Sequence, residues 1–316
     1  MLLTLTSIGC DGSDIDHSDS RISGELSIYL LDDVYADVTQ LENRDLSQLE
    51  LQDEPWLSID DIDFYDLSTH CIYLKEDWPS LGIDTRMSFT IPFVVVANGE
   101  RCYLGYFNSP VSSWLPRTPV IYSFPDFGLY PEDVIYISNR SVDNSPIDLR
   151  NDERIRNALL QSNKLCLGVQ VELNNVKFIS QSETTTLSYT FTVTNDSDDT
   201  LYVPDPDKMG GSLFHYYTNG VLLYKPDGSH FGSEHKTINP PENHDRWDVK
   251  WFTRLGSDKS MKRTVILNGY PDISKGTYSC YFTYSGPNHI EKSKRMLSDG
   301  RLWIGEVLSS TIESSR

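Results

Sequence analysis

Apolar residues recur along much of this chain with a period of two, the spacing that puts alternate side chains on opposite faces of a strand. Leu187, Tyr189, Phe191 and Val193 alternate with Ser188, Thr190, Thr192 and Thr194, which predicts a half-buried strand with a Ser/Thr outer face. Upstream, Val169, Val171 and Leu173 share one parity, whereas Val176 and Phe178 take the other. A bulge at Asn174-Asn175 restores the register. Residues Asn195 to Asp199 turn the chain, and Leu201 to Val203 return it. Asn219-Gly220 accepts the positive φ angles of a tight turn and predicts a hairpin between strands Leu213–Tyr217 and Val221–Tyr224. Later strands are predicted at Trp247–Phe252, Met261–Leu267, Thr277–Tyr284 and Arg301–Leu308. Strands in that number, without a convincing helix between them, predict an all-β sandwich over residues 167–310.

Residues 22–162 mix their periods. Leu26, Ile28 and Leu30 predict an opening strand, while leucines 41, 46, 49 and 51 fit either a helix or loops. Ser58 to Ile62 reads as a capped helical turn, with Ser58 receiving an orphan backbone N–H. A strand follows at His70 to Leu74. Phe93 to Val96 leads into Asn98-Gly99 and returns through Arg101 to Phe107, which predicts a hairpin. Two more strands are expected around Val120–Phe124 and Val134–Ser138. From Asp148 to Gln161 the period becomes helical, with Ile155, Ala158 and Leu159 on one side and charges opposite. The fold class expected is therefore an α+β N-terminal domain followed by the sandwich. Asp11 to Arg21 is rich in Asp and Ser and reads as a flexible acidic tether, so residues 1–21 stand apart from both domains.

Three resemblances bear on this outline. In Lys275 to Tyr284 a glycine corner is followed by Tyr278, two residues before Cys280. The arrangement resembles the tyrosine corner of immunoglobulin-like sandwiches and implies that the Tyr278 hydroxyl ties the corner to upstream backbone. The family's partner cysteine is missing from the facing strand, so Cys280 is expected to be a core thiol unless Cys166 reaches it. The run Met1 to Cys10, apolar and ending in Gly9-Cys10, resembles the tail of a bacterial lipoprotein signal, although Ser7 stands where that family carries Leu and no basic region precedes it. It implies lipidation at Cys10 and a cell-envelope or secreted location, with membrane contact through that anchor alone. Finally Asp60-Asp61-Ile62, the strand at 71–74, Phe93 to Glu100 and Pro119-Val120-Ile121 are similar to the SecD-like head domains of bacterial export machinery. That likeness implies an α+β module that meets other polypeptides.

Charge narrows the partners. Lys and Arg number 27 against 46 Asp and Glu, a formal charge of -19, which repels nucleic acid and anionic membrane surfaces. A protein or carbohydrate partner remains. Cys71, Cys102, Cys166 and Cys280 allow three pairings, and domain parsing favours Cys71–Cys102 and Cys166–Cys280. The chain carries no G-x-S-x-G elbow, phosphate-cradling glycine loop or His-Glu-x-x-His. Ligand-type residues concentrate in Pro226 to Trp247, where His230, His235 and His244 stand among Asp227, Glu234, Glu242 and Asp245. The prolines and glycines there read as a long polar connection; the alternative is a zinc site on the three histidines. Asp205-Pro206-Asp207 reads as a strand-ending turn, with a calcium site as its alternative. Trp247 and Trp251 share a strand parity and are expected in the core, or as a sugar platform. The functional expectation is a non-enzymatic binding protein, with a metal-assisted hydrolase on the histidine loop, or a protease-inhibitor-like sandwich, as alternatives.

Overall fold

The computed structural model describes residues 24–33, 37–77, 90–109, 112, 114, 116–122, 130–139, 148–180, 185–232, 247–270 and 273–316. It is rich in β-strands arranged in several sheets, compatible with a β-sandwich, and carries few helices.

The first sheet has nine strands: β1 (Leu26–Leu30), β2 (Leu57–Ser58), β3 (Ile62–Asp66), β4 (Cys71–Leu74), β5 (Ile91–Ala97), β6 (Glu100–Asn108), β7 (Val120–Tyr122), β8 (Val134–Ser138) and β9 (Leu165–Cys166). Their order is β2-β1-β5-β6-β7-β8-β4-β3-β9. Strands β2 and β3 are close in sequence but lie near opposite ends of that order, yet they contribute to one cavity. Leu57, Ile62 and Tyr65 line that apolar cavity. Helix α1 (Val38–Leu41) is short, and α2 (Glu153–Gln161) packs Ile155, Ala158 and Leu159 against the core of this sheet. Asp152 caps α2 by accepting from Arg154 N, and the helix is shorter than the sequence expectation because Leu149–Asn151 forms a separate 3-10 turn. Hairpin β5–β6 forms as expected, with Asn98 and Gly99 at positive φ. The segment at Ser58 differs from its expectation: it is strand and turn, and Ser58 donates from N and Oγ to the Asp61 carboxylate rather than capping a helix.

The second half continues directly through β10 (Val169–Ser180), β11 (Thr185–Asn195), β12 (Leu201–Pro204), α3 (Pro206–Met209), α4 (Gly211–Thr218), β13 (Val221–Tyr224), β14 (His230–Phe231), β15 (Phe252–Leu255), β16 (Ser260–Tyr270), β17 (Thr277–Ser285), α5 (Lys292–Arg295), β18 (Met296–Leu297), β19 (Gly300–Leu302), β20 (Glu306–Leu308) and β21 (Ile312–Ser315). Sheet β10-β11-β16 and the sheet built on β13 and β17 enclose one core, in which Tyr189 and Phe191 of β11 meet Phe282 of β17 at 5.5 and 5.1 Å between ring centres. The register between β10 and β11 shifts between Leu173 and Asn175, where the change of parity demanded a bulge.

Two elements overturn expectations. Residues 211–218 are helix α4, not a strand, and Asn219 at φ 57 is its C-cap. Asn-Gly supplies positive φ equally well to a hairpin and to a helix end, so the dipeptide does not discriminate between them. At 249–251 a 3-10 turn capped by Asp248 replaces the start of the strand expected from Trp247. Neither favoured cysteine pairing forms: Cys71, Cys102, Cys166 and Cys280 are all buried free thiols. Cys166 belongs to the first sheet, across β3, and Cys280 packs in the core of the second half.

The two halves share a further core. Cys71, Tyr73 and Val134 of the first sheet pack with Phe252, Ile290, Leu302 and Ile304 of the second half. Trp247 and Trp251 rest against this cluster, as expected of core residues.

Candidate functional site

The residues singled out in the sequence separate in space. Cys10, His235 and His244 lie outside the described residues. His230 is an exposed residue of β14 whose ring stacks on Tyr224 at 5.4 Å and 23°. Tyr224 stacks in turn on Tyr281 at 5.5 Å and 12°, and the Tyr281 hydroxyl donates to that of Tyr224. Among the described residues, no group of three or more His, Cys, Asp or Glu is placed to hold a metal ion, and no helix is long and apolar enough to cross a membrane. Asp205 caps α3 at Asp207 N and receives Nε and Nη2 of Arg263 at 2.8 and 2.7 Å. Burial works to raise its pKa, but the bonds from Arg263 and Thr253 outweigh burial and hold the carboxyl below the usual range. Its lone pairs serve the fold: the segment ends β12 and opens helix α3, where the sequence reading expects a turn.

Polar chemistry concentrates instead where the two halves meet. Arg301 of β19 is 5% exposed and enters the first sheet, its guanidinium 4.4 Å over the Phe64 ring and 5.6 Å from that of Tyr73. Its Nη2 stands 2.8 Å from Cys166 Sγ and 3.4 Å from Asp66 Oδ2. Asp66 also accepts from N and Oγ of Ser68, and Ser197 Oγ holds both Cys166 Sγ, at 3.0 Å, and Gly168 N, at 2.7 Å. Nearby, Arg295 of α5 pairs with Asp133 through both terminal nitrogens, and Lys292 Nζ donates to the Leu74 and Lys75 carbonyls at 2.9 Å each. Tyr73 donates to Ile304 O at 3.2 Å. Burial pushes the Cys166 thiol up despite the opposing Arg301 charge, and burial takes Cys71 to about 12, so both are protonated at neutral pH.

A second cluster surrounds His70, in the turn between β3 and β4, with φ 54 and 6% exposure. Its Nδ1 lies 2.9 Å from the Tyr65 hydroxyl and its Nε2 3.8 Å from Asp148 Oδ2. The carboxylate favours the proton on Nε2, so Nδ1 accepts from Tyr65. Arg150 grips Asp148 and donates to Ile137 O. Burial first, and Arg150 second, lower His70 to about 3. His70 turns to Tyr65 rather than to Cys71, so the adjacent His and Cys make no nucleophile and base pair.

Sequence reasoning missed both clusters. Asp66, Asp133, Arg295 and Arg301 carry no spacing that announces them, because each is matched by a residue far away in the chain. The comparisons add no relative: no protein-family model matches the chain, and no curated protein matches it in sequence.

Proposed function

We propose that this is a non-enzymatic binding protein of the cell envelope or exterior, anchored through Cys10, in which an immunoglobulin-like sandwich does the recognising and an α+β module supports it. The observation that supports this reading is the shelf formed by Tyr281, Tyr224 and His230 on the outer face of the β13–β17 sheet. Tyr224 and Tyr281 alternate with the core residues Leu223, Cys280 and Phe282, so the strands present these rings outward. Stacked aromatics with polar tips suit a sugar ring or a polypeptide side chain, since each offers apolar area and a hydrogen-bonding edge. The shelf lies at the start of the Pro226–Trp247 connection, where a partner is expected.

A photocrosslinking amino acid at position 281 tests it, with position 262 on the opposite sheet as control, alongside mobility of the purified protein in gels containing soluble polysaccharides. Adducts specific to 281, or retardation lost in Tyr224→Ala, support the reading. No adduct and no retardation, or equal adducts at 281 and 262, reject it.

A further inference from the structure

Where Arg301 enters the first sheet, a small cavity of about 10 Å³ is lined by Asp63, Phe64, Tyr73, Asp133, Lys292, Arg295, Met296, Arg301 and Leu302. That is room for about one occupant the size of a water molecule. Arg301 is one of the lining residues, and its Nε and Nη1 meet no protein acceptor although the side chain is buried. An unpartnered buried donor on a charged group is costly, and the rings of Phe64 and Tyr73 engage the guanidinium without accepting from these N–H groups in its plane. The charges nearby decide what the cavity suits. Asp133 is taken up by Arg295, and Asp66 reaches Arg301 through Nη2 alone. Lys292 is held by carbonyls, which leave its charge standing. Asp63 is exposed and shielded by water. The buried pairs Arg295–Asp133 and Arg301–Asp66 balance, and the half-buried Lys292 adds one positive charge beside them.

We propose that this cavity, at the seam between the two halves, binds one small monatomic anion of the chloride class on Arg301, with Lys292 supplying the balancing charge. Met296, one of the lining residues, is exposed, so the cavity lies close to the surface. The site would make the joint between the halves sensitive to the anion, independently of the aromatic shelf on the outer face of the sandwich.

The test uses the full chain with halide as the probe. Thermal unfolding is compared in sodium chloride, bromide and gluconate at equal ionic strength, for wild type, Arg301→Lys and Lys292→Met. The expected result is a saturating rise in Tm with either halide over gluconate, lost in Arg301→Lys and weakened in Lys292→Met. Crystals grown in bromide are expected to show an anomalous peak within hydrogen-bonding distance of Arg301. Equal Tm in the three salts, a halide response kept by both variants, or a water insensitive to bromide at that position would overturn the proposal. Should Arg301→Lys fail to fold, Lys292→Met and the bromide peak decide.

Discussion

His70 gives the fold a defined sensitivity to acid. Folded, the imidazole is neutral, buried against Tyr65 and beside Asp148 and Arg150, and titrates at about 3 rather than 6.5. The unfolded chain therefore takes up this proton well before the native state does, and stability falls as pH drops below 6.5, until both states are protonated below about 3. At 1.36 kcal/mol per unit of difference, the loss between pH 8 and pH 5 is about 2 kcal/mol. Asp148 has a depressed carboxyl, where burial opposes but the Arg150 bonds prevail, so its contribution is present above 3.8 and is lost below that value. The window from pH 8 to 5 thus isolates the histidine. His70→Asn is the suitable variant, because asparagine tolerates the φ of 54 at this turn. It removes the Tyr65 partner and lowers stability by ~1 kcal/mol at pH 8. Urea unfolding at stepped pH is expected to show wild type losing about 2 kcal/mol more than the variant on going from pH 8 to 5. Parallel curves for the two proteins would refute the assignment of a neutral, buried His70.

Two further outcomes follow from local geometry. Gly168 links the halves at φ +77, and a Cβ there would stand 2.1 Å from Ser68 Oγ and 2.2 Å from Asp66 Oδ1. Gly168→Ala should cost at least ~1–3 kcal/mol from backbone strain, with the clash in addition, and an unchanged urea midpoint would contradict this. Tyr278 donates to Ser274 O at 2.7 Å, the bond expected of the corner, so Tyr278→Phe should lose ~1 kcal/mol with the fold intact by circular dichroism.

The parts of this fold that were legible in sequence are those set by local periodicity. The alternation of β11, the bulge in β10, the β5–β6 hairpin and the helix carrying Ile155 and Leu159 all follow from side-chain direction, which each segment encodes for itself. Helix α4 was misread because its apolar spacing is short and its end carries a turn signal shared with hairpins. The candidate site was the least legible part. Arg301 meets Asp66 across 235 positions and Arg295 meets Asp133 across 162, and no local pattern records such a match.

One signal of the joint is present in the sequence. In β4, Cys71, Ile72, Tyr73 and Leu74 form an unbroken apolar run, and all four are buried. A strand with one wet face alternates; a continuous run means that both faces are covered. Ile72 and Leu74 face the core under α2, whereas Cys71 and Tyr73 face Leu302 and Ile304 of the second half. The same holds across β8, where Val134 joins the shared cluster and Ile135 the other. Runs of this kind in the first half demanded a second cover, and the helix at 153–161 supplies only one. The second half supplies that cover at this end of the sheet, so strands that look like a closed interior are the contact surface between the two halves.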